Sequence, residues 1–247
     1  MAKQGGLGSR LLVGGYDLSG DINAIDSIHG GKNLLDGTDI TQSAHARIHG
    51  LRDGSMGFTA FMDTANAHPV LSALPRTDTH MAALLPTLAI GGAAACLVAK
   101  QVNYDPNRGA DGALMLKVDG QGSGFGLEWA VTLTAGLRTD TSATNGASLD
   151  NAASTAFGAQ AYMQCTAFSG TDVTIKIQDS ADNSSFADVT GLTFTQVTAA
   201  PASQRLATSN SATIRRYLRA VTVTTGGVTS VTFAVAINRN PVAGVIF

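Results

Sequence analysis

Apolar and polar residues alternate with a period of two along most of this chain. Val173, Ile175 and Ile177 alternate with Thr174 and Lys176, and Val231, Phe233, Val235 and Ile237 alternate with Thr232, Ala234 and Ala236. Successive side chains of a strand point to opposite faces, so these runs predict half-buried β-strands. The first half repeats the pattern: Leu114, Leu116 and Val118 alternate with Met115, Lys117 and Asp119, while Met56, Phe58, Ala60 and Met62 oppose Ser55, Gly57, Thr59 and Asp63. Asp53-Gly54, Asp111-Gly112, Asp119-Gly120, Ser169-Gly170 and Gly226-Gly227 accept the backbone angles of tight turns and predict hairpins between the strands. One short helix is expected over residues 63–74, with capping residues ahead of it, Pro69 in its first turn and a stop at Pro75. It would cover one face of a sheet. The fold class is therefore all-β: a β-sandwich or barrel-forming domain with a short flanking helix, followed by a second β-sandwich.

Residues 139–151 carry no hydrophobic period and read as a linker or exposed loop. That places a β domain at 1–137, a linker at 138–153 and a C-terminal β-sandwich at 154–247. The first 137 residues hold nine Lys or Arg against twelve Asp or Glu, or −3, and the remainder seven against six, or +1, which recovers the net −2. No internal repeat relates the halves.

Composition narrows the function. Only 14% of residues are charged, against roughly 25% in an average soluble protein. The surface must rely on Thr, Ser, Asn and Gly, which suits a chain that hides much of itself against copies. A net charge of −2 leaves no basic footprint for nucleic-acid binding. Cys96 and Cys165 each sit in an apolar stretch and read as buried thiols rather than a disulfide framework. The first residues, Met1 to Gly6, lack the apolar core of a signal peptide, and no run approaches the length of a membrane span, so folding in a cytoplasm is expected.

The search for chemistry yields little. His45 and His49 have a spacing that would place both imidazoles on one helical face, but no Glu follows His45 as in zincins, and the segment reads equally as extended. Gly120 to Gly126 is glycine-rich but has neither the lysine of a phosphate loop nor the glycine spacing of a dinucleotide fold, and reads as a bulged connection between strands. No nucleophile elbow is present. Asp105, Asp111 and Glu128 read as solvated carboxylates rather than a glycosidase pair. Arg215, Arg216, Tyr217 and Arg219 form a basic cluster that alternation divides between two faces, favouring ion pairs between subunits or domains over nucleic-acid contact. The Asn183-Ser184-Ser185 sequon has no role without secretion. No catalytic, cofactor-binding or metal-ligating residue is assigned, no cofactor is expected, and the chain does not read as an enzyme.

Ordered local wording adds a family. Leu11 to Asp21, Arg52 to Phe61, His68 to Asp78 and Val98 to Pro106 are followed by Ser154 to Tyr162, Gln178 to Asp182 and Ala199 to Arg205. This combination resembles the major tail proteins of actinobacterial siphophages and covers nearly the whole chain. The resemblance implies a virion protein, assembled in the host cytoplasm, whose sheets join around a ring, usually a hexamer. Rings would stack into a hollow tube that conducts phage DNA, with the second sandwich on the exterior; a duplicated tube domain in trimers is the competing arrangement. Implied partners are copies of the chain, tape measure, tail terminator and tip proteins, and DNA in non-specific passage, with no membrane. DNA must slide without sticking, so Asp53, Asp63, Asp111 and Asp119 are expected as repelling charges of the lumen. The segment Gly30–Thr41 and the N-terminal arm are expected to order on assembly. Two alternatives stay open: a carbohydrate-binding module using Trp129, Tyr162 or Tyr217, and a capsid decoration or connector protein.

Overall fold

The computed structural model describes residues 5–86 and 88–243. Residues 1–4, part of the N-terminal arm expected to order on assembly, lie outside them. Along the chain run β1 (Arg10–Val13), β2 (Tyr16–Asp17), β3 (Ile22–Asp36), β4 (Arg47–Phe61), α1 (Ala67–Leu71), β5 (Thr79–Leu84), β6 (Ala93–Gln101), β7 (Asp105–Arg108) and β8 (Leu114–Gly122). Then follow β9 (Glu128–Thr132), β10 (Arg138–Asp140), β11 (Leu149–Asp150), β12 (Ala159–Gly170), β13 (Thr174–Ser180), β14 (Ala187–Thr193), β15 (Ala202–Ala207), β16 (Tyr217–Val223) and β17 (Val228–Arg239). The chain is all-β, as the alternation requires.

These elements form two compact units that interleave in sequence: residues 1–20, 79–96 and 129–247 make the first, and residues 21–78 and 97–128 the second. In the first, strands follow the order β15-β12-β17-β9-β6-β5-β1-β2, with β10 on β17, beside a four-stranded sheet β11-β16-β13-β14. Alternation drives the packing. Ala161, Met163 and Cys165 of β12 and Val231, Phe233, Val235 and Ile237 of β17 share one buried cluster with Ile175 and Ile177 of β13 and Leu218 and Ala220 of β16. That is a β-sandwich core, built by inner-facing residues of two sheets.

The intervening residues of β12 are buried as well, and two are glutamines: Gln160 and Gln164. Gln164 is satisfied by backbone. Its Oε1 accepts from the Gly15 amide at 2.7 Å and its Nε2 donates to the His80 carbonyl at 2.8 Å. Gly14 and Gly15 join β1 to β2 with φ of +62° and +89°, the left-handed pair a two-residue hairpin turn demands. A Cβ on Gly15 would lie 2.6 Å from the Ala202 amide nitrogen, so only glycine fits there.

In the second unit β4 pairs with β3 and β8, and β8 pairs with β7 and the end of β6. Met56, Phe58 and Ala60 of β4 and Leu116 and Val118 of β8 are fully buried, with Phe58 opposite Val118 and Ala60 opposite Leu116.

Several local expectations are corrected by tertiary context. Asp53-Gly54 and Asp119-Gly120 lie inside β4 and β8, not in turns. A Cβ on Gly54 would meet the Leu127 amide at 2.5 Å, so this glycine serves close packing in a strand. Asp111-Gly112 and Gly226-Gly227 do fall between strands, with positive φ at Gly112 and Gly227. The helix is only five residues, because the Asp63 side chain and carbonyl hold a turn to Ala65 and His68 ahead of it. Residues 138–153 contain β10 and β11, paired with β17 and β16.

Candidate assembly surface

The second unit carries a long hairpin arm. Strands β3 and β4 pair from Ile22↔Ala60 out to Asp36↔Arg47, and every residue from His29 to His45 is exposed. The distal strands span about seven residues each, or roughly 20 Å at about 3.3 Å per residue. Local polar chemistry closes its end: Asp36 accepts from the Thr38 amide at 3.0 Å, Asp39 accepts from the Thr41 amide at 2.8 Å, and the Ala46 amide donates to Thr38 Oγ1 at 3.0 Å. Hydrogen bonds from Thr38 and Thr41 hold both carboxyls below the usual aspartate range. Thus Gly30 to Asp36, expected as loop, is strand, and only residues 37–46 connect.

The arm displays large aliphatic side chains, most of them on one face. Leu35 stands opposite Ile48 on one face, above Gly37 and Gly50, whose missing side chains leave room for them. The register shift between Lys32 and Leu34 gives β4 an extra residue and brings Leu51 to this same face, while on the other face Leu34 stands opposite His49, with Lys32 opposite Arg52 beyond it. Leu34, Leu35, Ile48 and Leu51 are 53% to 84% exposed, and Ile40 in the connection is wholly so. A soluble monomer gains nothing by displaying five large aliphatic side chains on one projection. Among the described residues β3 pairs only with β4, which leaves its outer edge open over fifteen residues. Register shifts at Ile22/Ala24, Ile25/Ser27 and Lys32/Leu34 interrupt it, the usual means of keeping an open edge from pairing promiscuously.

The same unit has a polar face. Opposite the buried side of β4 and β8 lie Asp53, Ser55 and Thr59 of β4 and Gln121, Asp119 and Lys117 of β8. Gln121 donates to Asp53 at 3.0 Å, Asn103 bridges Asp105 at 2.8 Å and Asp119 at 3.0 Å, and Thr59 donates to Asp26 at 2.7 Å. Asp53 and Asp119 therefore share one face, joined by Asp26 and Asp105, while Asp63 sits in the turn before α1 and Asp111 in the turn between β7 and β8. The two added carboxylates could not be found from sequence, because only the strand register brings them to this face.

Other sequence candidates dissolve into local structure. His45 lies in the arm's connection and His49 in β4, so no helix unites them, and no group of metal-competent side chains occurs among the described residues. Arg215 pairs with Asp179 at 2.9 Å and Arg216 with Asp150 at 2.6 Å, while the Arg219 guanidinium lies 3.9 Å from the Phe186 ring centre. The basic cluster is thus paired within one unit of the chain. Tyr162 is buried and Arg216 covers Tyr217 at 4.9 Å, so of the three aromatics expected to stack on sugars only Trp129 is open. Cys96 and Cys165 are buried and not joined in a disulfide, and burial pushes the Cys165 thiol up to about 11. No helix is long and apolar enough to cross a membrane among the described residues.

The first unit is stapled by aspartates at its turns. The Arg216 side chain holds the Asp150 carboxyl down at about 2. Backbone donors do the same for Asp172, from Thr225, and for Asp182, from Ser185 and Ser184. Because each folded-state value lies below the unfolded one, their contribution is complete above about pH 4 and is lost as pH falls through the folded values. Melting temperature is expected to fall steadily between about pH 4 and pH 2, and Asp172→Asn should flatten part of that slope. A profile identical in the variant would remove Asp172 from this account.

No protein-family model and no curated protein matches the chain. Among solved structures, a chain from the virion of a native gene transfer agent particle aligns with a TM-score of 0.42 at 12% identity, covering 51% of this chain and 98% of its own. The Dit protein (gp 19.1) of SPP1, described as a paradigm of the hub adsorption apparatus in phages infecting Gram-positive bacteria, aligns with a TM-score of 0.36 at 12% identity, covering 93% and 98%.

Proposed function

We propose that this protein is a structural subunit of a phage virion, the major tail tube protein, which polymerises as stacked rings into a hollow conduit for DNA. The observation that carries this reading is the hairpin arm, with its exposed aliphatic side chains, bordered by the open edge of β3. A closed ring lets each edge pair with a neighbour and removes the liability an edge presents to a monomer. Stacked rings bury the arm. The resemblance of the sequence to major tail proteins supports the same conclusion, as does a surface of few charges.

The polar face of β4 and β8 is the proposed lumen. It presents Asp26, Asp53, Asp105 and Asp119 against Lys117, which leaves a net negative lining past which phosphates slide. Asp63 and Asp111, in the flanking turns, would stand at its margins. Tape measure, terminator and tip proteins are the partners this role requires, and the β-sandwich of the C-terminal part would face outward. Reversing two exposed lumen charges, Asp53→Lys with Asp105→Lys, is expected to leave tubes intact in electron micrographs and to slow DNA ejection at least about tenfold. Ejection at the original rate from such particles would count against this lining. Negative-stain microscopy of the purified protein tests the proposal directly: regular tubes support it, and a chain that stays monomeric under every assembly condition refutes it.

A further inference from the structure

We infer that the outer face of the β11-β16-β13-β14 sheet binds an acidic polysaccharide, with Arg219 as the residue that takes its carboxylates; this does not depend on polymerisation. On β13, Ile175 and Ile177 enter the core, so Lys176 and Gln178 face outward. The ladder sets Gln178 opposite Arg219 of β16 on one side and opposite Asp188 of β14 on the other. The three side chains form one row. Arg219 donates from Nε and Nη2 to Gln178 Oε1 at 3.0 and 2.7 Å, and Gln178 donates from Nε2 to Asp188 at 2.8 Å. Lys176 donates to the second oxygen of Asp188 at 3.0 Å. The Phe186 ring, its centre 3.9 Å from the guanidinium carbon, fixes the end of the row.

Arg219 differs from its neighbours in having no carboxylate. Arg215 has Asp179 and Arg216 has Asp150, while Arg219 leans on a neutral amide and a ring. Lys176 and Arg219 therefore share Asp188 alone, and the row carries an excess positive charge. Among the described residues Arg219 Nη1 has no hydrogen-bond acceptor, which leaves it for a ligand. A guanidinium takes a carboxylate through two parallel bonds, and one already held by a ring and an amide loses little freedom on binding. The attraction is local, because the chain as a whole carries −2. A protein partner would look for an apolar centre, and of the large apolar residues in these four strands only Val223, at the end of β16, is exposed. Thr193 instead stands opposite Lys176, with Thr174 beside it on the same face. Hydroxyls interspersed with planar amide and carboxylate groups suit the polyol rings of a sugar chain, and the uncompensated arginine selects a charged one.

The test is calorimetric titration of the whole chain with galacturonate oligomers at low salt, with dextran oligomers as the uncharged counterpart. Galacturonate binding is expected to weaken at least about tenfold in Arg219→Gln and at least about threefold in Lys176→Gln. Arg216→Gln, which removes a cation that Asp150 already matches, should stay within about twofold of the native chain. Thermal unfolding checks that each variant is folded; if Arg219→Gln is not, Lys176→Gln decides. No binding of galacturonate oligomers would overturn the inference, and so would dextran bound equally well. Equal losses in Arg216→Gln and Arg219→Gln would overturn it too, since they would mark diffuse attraction to any surface cation.

Discussion

Replacing Leu34, Leu35, Ile48 and Leu51 together with serine is expected to abolish polymerisation while leaving a folded, soluble protein. Burial of each aliphatic side chain is worth about 1.5–3 kcal/mol, and the loss is repeated at every subunit contact, so even two of the four substitutions should raise the critical concentration by more than a hundredfold. The fold has little at stake. All four side chains are more than half exposed, so exchanging them for a polar residue falls in the class of surface changes that shift stability by about 0.5 kcal/mol or less each. Sedimentation and electron microscopy measure the first effect, thermal unfolding the second. Tubes formed by the fourfold variant at native concentration would end the argument that the arm drives assembly. A collapse in melting temperature would instead show that these residues hold the monomer together.

The largest effect on stability is expected at Gln164. Its side chain is buried, and truncation to alanine orphans the Gly15 amide, which donates to Gln164 Oε1 in a site closed to water. The His80 carbonyl fares better, because it also accepts from the Gly14 amide at 2.9 Å. One unsatisfied buried donor costs about 1–3 kcal/mol and the emptied volume adds to it, for a total of about 3 kcal/mol. Gln164→Glu is a sharper probe: a carboxylate can accept from Gly15 but cannot donate to His80, and burying its charge should destabilise more than the alanine does. Denaturant unfolding measures both. A loss under about 1 kcal/mol in Gln164→Ala would mean that water or a shifted backbone replaces the amide.

That glutamine also marks the limit of what alternation reveals. On β12, Ala161, Met163 and Cys165 match the inward positions of a half-buried strand, yet Gln160, Tyr162 and Gln164 between them are buried too. A period of two reads as one wet face only when nothing covers the polar side. Here β2 and β5 lie close to β12, and the Gly15 and His80 contacts satisfy the Gln164 amide on that side. Similarly, Asp-Gly is a turn signal only if the flanking strands end there. Asp53-Gly54 continues β4 because Leu127 needs the space that a Cβ would take.

The arm shows the same division. Its apolar residues are visible in the sequence, as Leu34, Leu35, Ile48 and Leu51, but an observer expects such residues to be inside. The glycines at 30, 31 and 37 read as loop, although 30 and 31 belong to a strand whose ladder reaches Asp36.

What the sequence by itself determined is the class and the chemistry: an all-β chain, weakly charged, with strands at 56–62, 114–118, 173–177 and 231–237 and no constellation at catalytic spacing. Those features follow from side-chain period and residue type, which are local. Only the tertiary structure decided which strands became neighbours, how the compact units interleave along the chain, which carboxylates share one face of β4 and β8, and that five aliphatic side chains stay in water. Each of these depends on pairing across long stretches of chain, where register, coverage of the second face and close backbone approach choose among arrangements that the local pattern leaves equal.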